Sequence, residues 1–187
     1  MLSISNESVD DRILTSAASC VVDFGVERVT LAEIARRAGV SRPTVYRRWP
    51  DTRSVLAALL TSHITEAVAE VTVRGSGREA IVERVVAVAE RLRGDELVMA
   101  VLRSELALVY ISQRLGSSQH MLIDALAKDL RTAQSEGGVR AGDPRRMAAM
   151  VLLITQSTIQ SAQIVKPILD ADALAAELAH SLNGYLA

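Results

Sequence analysis

Arg42, Arg47, Arg48 and Arg53 fall within the fourteen residues Val40–Arg53, together with Thr44, Tyr46 and Trp49. A guanidinium is a planar fork that can grip a phosphate, or the O6/N7 edge of guanine, through two parallel hydrogen bonds, and a short threonine beside it can approach a thymine methyl. The chemistry on offer is recognition of an anionic polymer, with no bond broken. The formal charge of the whole chain is only −1, yet residues 28–53 hold seven arginines against Glu33 and Asp51, a local +5 that leaves −6 for the remainder. Because 19 of the 21 basic residues are arginine, a solvated arginine face is the plain alternative. Their concentration in one segment favours an electrostatic footprint.

Such a face has to be carried on a rigid element. The major groove of B-DNA, about 12 Å wide, admits a helix whose other side packs on a scaffold. Between Ser41 and Trp49 the pattern divides in that way, with Val45 and Trp49 inward and Arg42, Thr44, Tyr46, Arg47 and Arg48 outward. Ser41 can cap this helix, Pro43 suits its first turn, and Val40 with Val45 forms its staple. Pro50 ends it, and Asp51 caps a longer helix running to about residue 71. Upstream, Thr30 and Glu33 stand in capping-box spacing with Val29 and Ile34 as staple, Ile34, Ala35 and Ala38 face inward, and Gly39 supplies a left-handed stop. A first helix follows Ser8, complemented by Asp10 and Asp11, buries Ile13, Ala17, Val21 and Phe24, and ends at Gly25. The arrangement is a helix-turn-helix whose first member crosses the DNA backbone, with Thr30, Arg36 and Arg37 near phosphates.

The run "TLAEIARRAGVSRPTVYRRWPDTRSVLAAL" resembles the DNA-binding domain of TetR-family transcriptional regulators, through Ala35 and Gly39 in the turn, Thr44-Val45-Tyr46 in the recognition helix and the aromatic Trp49 after it. The resemblance implies an all-α fold: an N-terminal three-helix helix-turn-helix domain and a C-terminal helical ligand-binding and dimerisation domain. It also implies base or backbone contacts for Arg42, Pro43, Thr44 and Tyr46, with Tyr46 reaching a phosphate. The family places a phosphate-clamping lysine where this chain has Thr52, and Arg53 is the candidate substitute. With Thr30, Arg36, Arg37, Ser41, Arg47 and Arg48, these residues form the expected DNA face.

A Gly-Ser-Gly break at residues 75–77 divides a DNA-binding domain with its connecting helix, residues 1–74, from a helical domain, residues 75–187. Helical periods continue at 78–92, 95–114, 118–136, 144–165 and 170–186. One recognition helix reads few base pairs, so a homodimer reading two half-sites about 34 Å apart on a palindromic operator in double-stranded DNA is expected. Val151, Ile154, Thr158 and Ala162 line one face of the penultimate helix, and Leu174, Leu178, Leu182 and Tyr185 one face of the last. These stripes suit a four-helix bundle between subunits, or the core of their own domain.

The resemblance further implies a small-molecule pocket among the central helices. Met99, Arg103, Leu106 and Tyr110 recur at helical spacing, and Gln156 begins a polar stripe with Gln160 and Gln163. Core packing, solvent and a dimer partner are the ordinary explanations for both stripes. With aromatics at 3%, a pocket would have aliphatic walls suited to a small hydrophobic or acyl effector.

His63, His120 and His180 lie on separate helices, and no nucleophile motif, phosphate-cradling glycine loop or metal-ligand cluster is present, so neither an enzyme nor a cofactor or metal is expected. Cys20, the single cysteine, excludes an internal disulfide and reads as a buried thiol. Residues 1–11 hold no Lys or Arg, unlike a signal peptide, and the longest apolar run, Met147–Ile154, is shorter than the roughly 20 residues of a membrane span. The chain reads as a cytoplasmic, homodimeric repressor released from its operator by a small hydrophobic effector. The alternative is a constitutive, architectural DNA-binding protein whose C-terminal domain only dimerises or binds a protein partner.

Overall fold

The computed structural model describes residues 8–104 and 116–187, and among them every regular element is helical. The α-helices are α1 (Val9–Phe24), α2 (Leu31–Ala38), α3 (Arg42–Arg48), α4 (Thr52–Glu70), α5 (Gly77–Arg93), α6 (Glu96–Arg103), α7 (Ser117–Ser135), α8 (Pro144–Val165) and α9 (Ala171–Leu186), with a short 3-10 turn at Val26–Arg28. The all-α expectation holds.

The chain forms two compact units, Met1–His63 with Glu96–Ser112 and Ile64–Asp95 with Gln113–Ala187. The Gly-Ser-Gly break does separate α4 from α5, but the units part within α4, and the chain returns to the first unit at Glu96.

In the first unit, Ile13, Ala17, Cys20 and Val21 of α1 meet Leu31, Ile34, Ala35 and Ala38 of α2, Val45 of α3, and Val55, Leu56 and Leu59 of α4, closed by Leu97 and Val101 of α6. Each boundary has a local cause. The Ser8 hydroxyl accepts from Asp11 N at 3.0 Å while the Asp11 carboxylate accepts from Ser8 N at 3.1 Å, a complete capping box. At α2 only half of the box forms: Thr30 accepts from Glu33 N at 3.3 Å, whereas the Glu33 carboxylate turns to arginines. Gly39, at φ 63° and ψ 33°, ends α2, with Val40 N bonded to Ala35 O at 3.1 Å and Gly39 N to Arg36 O at 3.4 Å. That pair of bonds satisfies two orphan carbonyls and requires the left-handed backbone that glycine tolerates.

In the second unit, α5, α7, α8 and α9 pack on one another. Ile123, Ala127 and Leu130 of α7 meet in this core with Ala148, Val151 and Ile159 of α8, while Leu174, Leu178, Leu182 and Leu186 form a buried stripe at i, i+4 spacing on α9. Asp143 opens α8 by accepting from Arg145 N and Arg146 N at 2.8 and 3.1 Å, which holds its carboxyl below the usual range. Three residues before this cap, Arg140 Nε donates to Tyr185 O at 2.7 Å and its guanidinium lies 4.7 Å from the Tyr185 ring, fastening the end of α9.

One expectation is corrected here. Val151, Leu174, Leu178 and Leu182 are buried within their own unit, so they are not available to a partner subunit. An apolar stripe reports that a face is covered, and its period does not say by what. The outward side of α8 is also apolar, with Met150, Leu153 and Ile164 exposed at 43%, 60% and 79%. Being apolar on two sides, the 22-residue α8 is long and apolar enough to cross a membrane by length and composition, although one of its faces belongs to the bundle core.

Candidate nucleic-acid interface

The interface is built outward from Val45, which is fully buried and, with half-buried Trp49, anchors α3 to the first unit's core. The Ser41 hydroxyl accepts from Thr44 N at 3.3 Å and lies 2.7 Å from the Thr44 hydroxyl, fixing the start of the helix. Trp49 N returns to Val45 O at 2.9 Å. Asp51 then caps α4, accepting from the Ser54 hydroxyl and from Ser54 N at 2.6 and 2.7 Å, and these bonds lower its carboxyl pKa. With both ends and one side fixed, Ser41, Arg42, Pro43, Tyr46, Arg47 and Arg48 are exposed and Thr44 is half-buried.

The arginines separate into two groups by what holds them. Arg42, Arg47 and Arg53 are exposed and make no hydrogen bond or ion pair with any described residue. The Tyr46 side chain, half exposed, is also without a partner there. Arg36 projects with 71% of its side chain exposed, but its fork is bidentate to Glu33, at 2.8 Å from Nε and 2.7 Å from Nη2.

Arg37 is held from three sides. It donates to Asp23 at 2.5 Å, to Ser19 at 2.9 Å and to Glu33 at 3.0 Å, and its guanidinium lies 4.6 Å from the Phe24 ring. Bonded first by Arg36 and then by Arg37, the Glu33 carboxyl is pulled down to about 2. Arg37, bonded chiefly by Asp23, is raised in turn. Arg48 is paired with Asp10 of α1 and also donates to Thr44 O at 3.4 Å. Sequence placed Arg37 near phosphates and Arg48 on the outward face of the recognition helix; the structure gives their forks internal acceptors.

Thr30 is exposed at the start of α2, and Thr52 and Arg53 open α4, where first-turn N–H groups have no acceptor within the helix. The described candidates for a ligand site are divided between the two units. Met99 is buried and Arg103 exposed on α6 of the first unit. Gln156, in the second, accepts from Gln119 Nε2 at 3.0 Å. Leu106 and Tyr110 lie outside the described residues. Of the expected dimer residues, Ile154, Thr158, Ala162 and Tyr185 remain half-buried.

Sequence reasoning missed Asp10, Asp23, Ser19 and Phe24 as the internal partners of basic residues, because each contact crosses between helices. It also missed the outward Met150, Leu153 and Ile164, although their spacing of three and eleven places them on one side of α8. Among the described residues no group of three or more His, Cys, Asp or Glu could hold a metal ion. Cys20 is buried, and desolvation pushes its thiol pKa up.

Comparison with known proteins agrees with this geometry. The family model described as bacterial regulatory proteins, tetR family, matches residues 13–59, the span from the middle of α1 into α4. A Mycobacterium tuberculosis (strain H37Rv) protein named as the uncharacterized HTH-type transcriptional regulator Rv2250c is 66% identical over 188 residues, covering all of both chains. Among solved structures, the FadR regulator of Bacillus subtilis in complex with stearoyl-CoA superposes with a TM-score of 0.64 at 18% identity, over 94% of this chain and 98% of that one. The TetR-family repressor QsdR of R. erythropolis superposes with a TM-score of 0.65 at 18% identity, over 94% of each chain. The helix-turn-helix geometry, the family match inside it and a full-length relative that is itself named a transcriptional regulator lead to one assignment: this chain belongs to the TetR family of DNA-binding transcriptional regulators.

Proposed function

We propose that the protein is a cytoplasmic homodimeric repressor that binds a palindromic operator and is released by a small hydrophobic effector. The observation that carries the DNA half is the set of exposed Arg42, Arg47 and Arg53, which make no hydrogen bond or ion pair among the described residues, around a helix whose inner residue Val45 is locked in the core. Arg42 and Arg47 are placed to read base edges, with Tyr46 and Arg36 on phosphates. Arg53 and the free first-turn N–H groups of Thr52 and Arg53 take the place of the family's clamping lysine.

Dimerisation is supported by the uncovered apolar side of α8. Met150, Leu153 and Ile164, with exposed Ala176, His180 and Gly184 at four-residue spacing on α9, give a surface able to pack on its symmetry mate, with Ile154, Thr158, Ala162 and Tyr185 at its margin. The domain roles follow: residues 1–74 bind DNA and pass the signal through α4, while residues 75–187 dimerise and bind the effector.

An acyl-like effector is supported by the aliphatic interior of the second unit and by the likeness in fold to a regulator solved with stearoyl-CoA. A crevice whose lining includes Val86, Ala89, Arg93, Ile159, Leu174 and Leu178 has a volume of only about 10 Å³, space for about one water. An effector would favour a conformer in which this crevice is wider, and a coupling of about 1–3 kcal/mol suffices to change operator occupancy from about fivefold to more than a hundredfold.

The test is selection of bound sequences from a randomised duplex library at near-physiological salt, followed by challenge of the bound operator with fatty acyl-CoA thioesters of graded chain length. Enrichment of an inverted repeat and its release by the thioesters are expected. Binding without enrichment would favour the architectural reading, and an operator complex indifferent to the thioesters would remove this effector class.

A further inference from the structure

We propose that α1 is a two-ended brace, in which Asp10 near one end holds the recognition helix through Arg48 and Asp23 near the other holds α2 through Arg37, so that two arginines of the basic segment position the DNA-reading face without touching DNA. The inference rests on the DNA-binding half of the proposed function and is independent of dimer face and effector.

Among the arginines of the basic segment, these two make ion pairs that cross to another helix, whereas the fork of Arg36 stays on Glu33 of its own helix. Asp10 and Asp23 are thirteen residues apart on one helix, about 20 Å along its axis. Arg48 pairs with Asp10 at the last turn of α3, and Arg37 pairs with Asp23 at the last turn of α2. Helices α2 and α3 are only eight and seven residues long, too short to hold their orientation by themselves. Between them stands the Gly39 turn, and the buried contact of α3 with the core centres on Val45. Half-buried Val40 and Trp49 flank that anchor against the core, and the Arg48–Asp10 pair adds a polar restraint at the helix end.

Arg37 is the more deeply committed of the two. Its side chain is 19% exposed against 71% for Arg36. Its fork is divided among Asp23, Ser19 and Glu33, with Phe24 against its face. To reach a phosphate it would have to abandon all four contacts, whereas Arg42, Arg47 and Arg53 make no hydrogen bond or ion pair among the described residues. Arg37 and Arg48 are therefore positioning residues.

The aspartates provide a test in which the two readings predict opposite signs. If Arg37 and Arg48 were phosphate ligands restrained by Asp10 and Asp23, replacing an aspartate by asparagine would free an arginine and remove a repelling charge. DNA of any sequence would then bind more tightly, with a steeper salt dependence. A brace predicts the reverse. For Asp10→Asn and Asp23→Asn in the full-length protein, we expect affinity for the selected inverted repeat to fall about three- to tenfold, the range that loss of a partly exposed ion pair in each subunit supports. Affinity for a random duplex of the same length should stay within twofold, with the salt slope unchanged, and Asp10→Glu, which keeps the pair, should recover most of the loss.

Amide hydrogen exchange of the DNA-free protein reads the brace without any operator. Exchange should quicken in α2 for Asp23→Asn and in α3 for Asp10→Asn, while α5, α7, α8 and α9 stay as they were. Unchanged exchange, unchanged or tighter operator binding, or equal losses on operator and random duplex would each overturn the proposal. Failure of the wild-type protein to bind DNA would instead strike the proposed function and leave the exchange result to judge the brace.

Discussion

Arg47 and Arg37 carry the same side chain into opposite situations. Arg47 is exposed without a partner among the described residues, while Arg37 is 19% exposed and bound to Asp23, Ser19 and Glu33. Arg47→Ala should weaken operator binding and, where Arg47 reads a guanine, relax the preference at one base pair by about 1–3 kcal/mol. Equal losses on operator and random DNA, measured by competition, would make it a phosphate contact alone. The sequence shows that arginines are concentrated here and which helical side each occupies. It does not show which are free. The Glu33 pairs with Arg36 and Arg37 lie three and four residues apart and are local, but Asp23 is fourteen residues from Arg37 and Asp10 thirty-eight from Arg48. Those pairings depend on how helices cross, which no short spacing encodes.

The elements themselves were the most legible part of the chain, because their ends are set by neighbouring residues. Ser8, Ser41 and Asp51 each cap the helix that the sequence assigns to them, and Gly39 ends α2 in the left-handed conformation expected of it. Faces were legible only as apolar or polar. The leucine stripe of α9 was offered to a partner and is buried in its own bundle, while the outward side of α8 was overlooked. Two substitutions separate the surfaces. Leu178→Arg forces a charge into the core and should cost about 3–5 kcal/mol or more, unfolding the second unit. Leu153→Arg should leave the helical circular dichroism and melting intact while halving the mass in sedimentation. A folded dimer for Leu153→Arg would move the subunit interface elsewhere.

At the scale of the whole molecule, a formal charge of −1 conceals a basic segment of +5, and DNA affinity should follow the segment. With the charges of Arg36, Arg42, Arg47 and Arg53 of each subunit, on base edges or phosphates, brought against the DNA and displacing its counterions, log K for the dimer should fall against log salt with a slope near −7. Titration of a labelled operator across a salt series measures it, and a slope near −2 would remove this footprint. The separation of roles among the arginines has a further consequence. Among the described residues Arg42 and Arg47 make no hydrogen bond or ion pair, and Arg53 only places its charge beside the Asp51 cap, so replacing Arg42 or Arg47 leaves the scaffold intact. A descendant gene could thus acquire a new target in the genome through one or two codon changes, and a laboratory could retarget the regulator without first repairing its fold.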